Sequence, residues 1–222
     1  WNAEIRSDPR GSSVTFTYRS QDGEENYPGN LDVAVTYTLT DEDDLILEYE
    51  ARTDAPTVCN LTHHSYFNLA GEGAGTILDH ELEIASQRYT PTDDTLVPTG
   101  EIAEVAGTAF DFTAATAIGA RIDAVPGGYD ANFVLTDTPA DLELAARAHD
   151  PNSGRYLEVW TTEPGLQFYS GNFLDGSLIG KGGRPYVKHG AFCLEPQKYP
   201  DSINQADWPS PILRPGQVYR QT

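Results

Sequence analysis

Four residue types carry the chemistry that can be read in this chain: histidine, glutamate, aspartate and glutamine. His63 and His64 stand side by side in LTHHSYFNLAG, residues 61–71, in a chain with only 5 histidines. A histidine exchanges its proton near neutral pH, which suits general acid or base work. Neighbours on a strand point to opposite faces, so one is expected to face a pocket and the other to point away. Adjacent spacing also differs from the i, i+4 pattern of a helical metal site. Taken alone, such a histidine is more often a packed or hydrogen-bonded residue than a catalyst.

Glu195 follows the apolar run Ala191 to Leu194 in AFCLEPQ. It is either exposed or desolvated, and desolvation raises a carboxyl pKa toward the range of a useful base. Alternation puts it on the same face as Cys193, which favours the buried reading. Asp130 follows the glycines of GGYDANF at the start of a strand, where a local backbone bond is the ordinary role of an aspartate. Gln167, in EPGLQFYSGN, faces away from Leu166 and Phe168. An amide among aromatics suits a sugar, whose ring stacks and whose hydroxyls take paired hydrogen bonds. It also suits an ordinary strand.

The elements that must position these groups are strands. Leu31, Val33, Val35, Tyr37 and Leu39 share one face, a polar turn follows, and Leu45, Leu47 and Tyr49 resume the alternation. That is a hairpin with one buried face. Val14 to Tyr18, His80 to Ala85, Asn132 to Leu135, Leu142 to Ala148, Tyr156 to Thr161 and Leu166 to Ser170 are further strands, the last two separated by the turn residues Glu163-Pro164-Gly165. Helical periodicity is almost absent; Thr113 to Ala120 has room for one or two turns. Strands every ~8–12 residues with Gly and Pro between them indicate an all-β fold, a sandwich or barrel. No internal repeat or linker divides the chain, so residues 1–222 are expected to form a single domain. The long loop from Arg88 to Thr108 is either functional or a plain excursion.

Composition narrows the partners. Lys+Arg 14 against Asp+Glu 34 gives a formal net charge of −20. Such a surface repels nucleic acid and anionic membranes, and few arginines are available to hold a phosphorylated substrate. Solubility, in a salty habitat for instance, is the simpler reason for the charge. Cys59 and Cys193 lack metal-type partner spacing and are expected to be buried thiols, which suits a reducing compartment such as the cytoplasm. No apolar run approaches the ~18 residues of a membrane span, and no signal-peptide pattern is present. The chain contains no Met and begins with Trp1, as expected either of a fragment that lacks its natural N-terminus or of a processed chain.

Together the motifs go further than they do singly. NLTHHSYFNLAG, GGYDANFVL, EPGLQFYSGNFLDG and FCLEPQKYPDSINQ resemble, in this order, the motifs of the aldose 1-epimerases, or galactose mutarotases. DGEENYPGNLDVAVTYTL near the start and LRPGQVY near the end are similar to the same family, so the resemblance runs from about residue 20 to the end. It implies a large antiparallel β-sandwich, the supersandwich. It also implies interconversion of the α and β anomers of a free aldohexose such as galactose or glucose, with no cofactor and no metal, by a monomer or homodimer. By position in the motifs, His64 matches the catalytic histidine, Glu195 the catalytic glutamate, and Asp130 and Gln167 the sugar-binding aspartate and glutamine. His63 is then expected to pack or hydrogen-bond behind His64. Some relatives are exported, so localisation stays open between cytoplasm, periplasm and secretion.

The chain departs from the pattern at His63, where the family has Asn, at Pro196 in place of Thr, and at Ala131 in place of His; the last is expected to loosen the hold on Asp130. An upstream Asn-Arg pair and a Leu-His-Gly-Gly motif have no counterpart. The chain is therefore expected to be the C-terminal majority of a mutarotase, with uncovered sheet edges and impaired activity if it stands alone. A non-catalytic sugar-binding sandwich would use Asp130, Gln167 and the aromatics but has no need of both His64 and Glu195. A hexose-6-phosphate mutarotase relative would need an arginine cluster for the phosphate.

Overall fold

The structure is a computed structural model that describes residues 1–135 and 141–222. It is all-β and antiparallel, as the alternation predicts, and it divides into two compact units. The first comprises residues 1–61, 202–206 and 210–222; the second comprises residues 62–201 and 207–209. No helix among the described residues is long and apolar enough to cross a membrane.

In the first unit, β1 (Asn2–Asp8), β2 (Gly11–Ser20), β3 (Leu31–Thr40) and β4 (Leu45–Thr53) run as successive hairpins, and β5 (Thr57–Val58) follows. The β3–β4 register sets Val33 against Ala51, Val35 against Tyr49 and Tyr37 against Leu47, so the alternating apolar residues meet on one face. The burial fades toward the turn: Val33 and Val35 are buried, while Leu39 and Leu45 are exposed. Their apolar set packs with Cys59, Leu213 and Tyr219.

The second unit holds nine strands among its described residues. They are β6 (Glu81–Ile84), β7 (Arg88–Thr90), β8 (Ala103–Glu104), β9 (Thr116–Ala117), β10 (Asp130–Val134), β11 (Glu143–His149), β12 (Tyr156–Thr161), β13 (Gly165–Tyr169) and β14 (Cys193–Gln197). Two more, β15 (Ile212–Leu213) and β16 (Tyr219–Gln221), return to the first unit and pair with β5 and β4. Within the second unit, one sheet runs β14-β13-β10-β7-β8 and another β12-β11-β6-β9. Leu82, Ile84, Ala146 and Ala148 of the latter share one core with Ala131, Phe133, Leu166, Phe168 and Leu194 of the former. This is a sandwich, its interior supplied by every second residue of each strand.

Local detail refines the sequence expectations and departs from them at the two histidines. The turn at Glu163-Pro164-Gly165 does not close a hairpin; it carries the chain from one sheet to the other, because β12 pairs with β11 and β13 with β10 and β14. The alanine-rich stretch forms β9 and then a single 3-10 turn, Ile118–Ala120. His63 and His64 lie on an irregular segment and not on a strand. The loop after Arg88 folds back, with β7 pairing β8 and a bridge between Thr92 and Pro98. Each unit contains one buried thiol, Cys59 in the first and Cys193 in the second.

Candidate active site

The site is built on β10, β13 and β14, and their register explains its composition. Asn132 stands opposite Gln167, and Gln167 opposite Glu195. One row along, Asp130 stands opposite Tyr169, and Tyr169 opposite Cys193. Paired residues share a face, and so do residues two apart. Asp130, Asn132, Gln167, Tyr169, Cys193 and Glu195 therefore line one face, while Ala131, Phe133, Leu166, Phe168 and Leu194 fill the core from the other. On the site face, the row beyond Asn132 ends at Val134, which packs with Tyr199 and Trp208.

Asp130 reaches the face through a built turn. Gly127 and Gly128 have φ of 86° and 95°, the left-handed region that glycine adopts without strain. The following Tyr129 is latched to the end of β13. Its N–H donates to Ser170 Oγ at 2.9 Å, and its carbonyl accepts from Asn172 Nδ2 at 2.9 Å. GGYD and YSGN, far apart in sequence, thus form one structure. Asp130 Oδ1 accepts from Gln167 Nε2 at 2.7 Å. Its carboxylate is held by a side chain across the ladder, not by a local backbone bond. Ala131 points into the core, so its small size leaves this hold in place. Pro196 lies on β14, which ends its sheet, and a proline is tolerated on such a strand.

His64 comes from outside the sheet. Its segment is pinned by reciprocal backbone bonds between Phe67 and Phe192, 2.7 and 2.9 Å, directly before β14. Asn68 Nδ2 donates to the Gly190 carbonyl at 2.9 Å, and Leu69 N–H to His80 Nε2 at 3.0 Å. These anchors bring His64 Nε2 to 3.5 Å from Glu195 Oε1. The His64 ring stacks on Tyr66, 5.1 Å between centroids, and meets the edge of Tyr169 at 6.3 Å. His63 turns aside: its Nε2 is 2.8 Å from Ser65 Oγ, and its ring lies against Phe67.

Burial sets the electrostatics. Glu195 is 6% exposed, and this desolvation pushes its carboxyl above the ordinary range; His64 opposes the rise and Asp130 adds to it. Asp130 is likewise raised by burial, with Gln167 pulling it back. Burial also depresses His63, as it must for a base that is charged when protonated. The side chain of His64 is 49% exposed, so it meets both solvent and a buried carboxylate. Gln167 Oε1 is buried without a hydrogen-bond donor among the described residues.

All four sequence candidates, His64, Glu195, Asp130 and Gln167, thus belong to one place. Tyr169 and Asn132 share the face and were not singled out; their spacing of two from Gln167 and Asp130 was the available signal. The arrangement offers an acid–base pair beside an amide-held carboxylate and exposed aromatic rings, Tyr66 and Phe173.

Comparison with known proteins agrees with this chemistry. The family model for aldose 1-epimerase matches residues 1–222. Galactose mutarotase of Rattus norvegicus is 49% identical over 223 residues, covering 100% of this chain and 64% of that protein. Aldose 1-epimerase of Escherichia coli K12 is 39% identical, covering 93% of this chain and 61% of its own length. The solved structure of an aldose epimerase homologue from C. elegans agrees with a TM-score of 0.86 at 34% identity, covering 99% of this chain and 66% of that one. That of galactose 1-epimerase from Lactobacillus acidophilus agrees with a TM-score of 0.81 at 28% identity, covering 100% and 64%. The chain spans less than two thirds of the length of each of these relatives. A match over every residue of the chain, joined to close agreement in fold, makes it a member of the aldose 1-epimerase family.

Proposed function

We propose that this chain carries the acid–base half of an aldose 1-epimerase acting on a free aldohexose such as galactose or glucose. The observation that carries the proposal is the 3.5 Å approach of His64 Nε2 to Glu195 Oε1 beside the Asp130–Gln167 pair. Mutarotation moves protons at two oxygens bonded to the same carbon, so its acid and base must be near neighbours. Glu195 takes the proton from the O1 hydroxyl. His64, protonated, gives its proton to the ring oxygen O5 as the C1–O5 bond breaks. The open aldehyde turns about the C1–C2 bond and closes from the other face, with both proton transfers reversed. Asp130 and Gln167 hold ring hydroxyls so that C1 alone is free to move. The orphaned Gln167 Oε1 supports this role, since a sugar hydroxyl supplies the donor it lacks. The few arginines give no support to a phosphorylated substrate.

Both units and all 222 residues are assigned to one mutarotase domain, and a small monosaccharide to its site as the partner. Polarimetry tests the activity. Freshly dissolved α-D-galactose should lose optical rotation faster with this chain than in buffer, and Glu195→Gln should remove roughly 10²–10⁴-fold of that acceleration. Binding of galactose with no acceleration in either protein would leave two readings, a sugar-binding module or a fragment that needs the part of its longer relatives not matched here, and activity restored by adding that part would decide for the fragment.

A further inference from the structure

We propose that the site face also captures a borderline-soft divalent cation, Zn2+ in chemical class, through His64 Nε2, Cys193 Sγ and a Glu195 carboxylate oxygen. Among the described residues these three side chains bring one ligand atom each to within 4.8 Å of one another. A tetrahedral zinc site needs such atoms about 3–4 Å apart, given metal–ligand bonds of ~2.0–2.3 Å. The His64–Glu195 separation of 3.5 Å already meets this. The sulfur needs only a small adjustment, which the exposed His64 can follow.

The donor set selects the ion. Imidazole, thiolate and carboxylate together suit zinc and its neighbours, whereas magnesium and calcium favour oxygen alone. Cys193 and Glu195 are buried on one face of the sheet, so two of the ligands are already ordered. His64 closes the set from the solvent side and leaves the fourth position for water, the pattern of an open zinc site. Binding breaks the Cys193 S–H bond and forms a sulfur–metal bond; the proton passes to solvent. No turnover is involved. The ion ties up the two groups assigned to proton transfer, so it acts as an inhibitor, a consequence that rests on the proposed function.

Titration with Co2+, a coloured substitute for Zn2+, tests the site without any measurement of activity. One equivalent should produce a sulfur-to-cobalt charge-transfer band that Zn2+ then bleaches. Cys59→Ser should keep the band, Cys193→Ser should lose it, and His64→Ala should weaken binding by at least about tenfold. Cys193 is buried, so circular dichroism must show that Cys193→Ser folds; His64 is half exposed, and its replacement leaves the core intact. Absence of the band in the original chain, its loss in Cys59→Ser, or unchanged affinity in a folded His64→Ala would overturn the proposal. A band in a chain that fails to catalyse mutarotation would sink the activity and leave the metal site standing.

Discussion

At the scale of single residues, the charges around Glu195 make distinguishable predictions. As a base it works only when ionised, and burial lifts its pKa, so kcat/KM should fall with acid at a pH above the ordinary glutamate range. His64 lowers that pKa and Asp130 raises it. The acid limb should therefore move to higher pH in the residual activity of His64→Ala and to lower pH in Asp130→Asn. A pH–rate profile of each variant reads both signs. Asp130→Asn also alters the proposed sugar contact in a buried pair, a loss of ~1–3 kcal/mol that should appear mainly as a raised KM. Stability responds in the opposite sense to activity. A folded pKa above the unfolded one means that stability is full at low pH and is lost as pH rises through the folded value. At neutral pH the buried Glu195 carboxyl is thus a burden, and Glu195→Gln should gain roughly 0.5–2 kcal/mol in urea unfolding, a gain that shrinks with acidification. These four side chains were legible in the sequence because motif and alternation agreed at each. The relation between them was not, since it depends on which strands become neighbours.

At the scale of elements, β13 is the member that both sandwich and site require. It lies between β10 and β14, with Leu166 and Phe168 fully buried in the core and Gln167 and Tyr169 on the opposite face. Phe168→Ala should cost about 3–5 kcal/mol, measured by denaturant unfolding. The turn before β10 is sensitive for a different reason. Gly128 combines a φ of 95° with the close approach of Asn172, which an added Cβ would overlap. Gly128→Ala should therefore loosen the Tyr129 latch and lower sugar affinity through Asp130, while the core-facing residues hold the fold. The alternation that places these strands was visible in Leu166 to Ser170 and Asn132 to Leu135. The histidine segment was misjudged as a strand for a physical reason: its hydrogen bonds go to Phe192, Gly190 and His80, contacts outside the segment that no local pattern encodes.

At the scale of the molecule, the dominant quantity is the net charge of −20. Several arginines form ion pairs on the first unit, Arg19 with Asp32 and Arg10 with Asp8 and Glu48, with every arginine substantially exposed. Such pairs contribute ~0–1 kcal/mol each and weaken with salt. Repulsion among the excess carboxylates weakens with salt too, and it involves far more groups. Repulsion should win, so the melting temperature should rise between low and physiological ionic strength; differential scanning calorimetry across a salt series checks the sign. Composition alone carried this conclusion, whereas the all-β class came from pattern, the alternation of the strands and the spacing of turns. The division into two units left no mark in composition, since no linker separates them and the last strands return to the first.

The two thiols have a use beyond ligation. With Cys59 buried in one unit and Cys193 in the other, an alkylating reagent can reach either sulfur only when the groups covering it move aside. The rate of adduct formation at each position, followed by peptide mass spectrometry under native conditions, is then a clock for the breathing of that unit alone. A monosaccharide seated against β14 should slow the clock at Cys193, so occupancy could be followed in a protein that shows no colour and consumes no reagent.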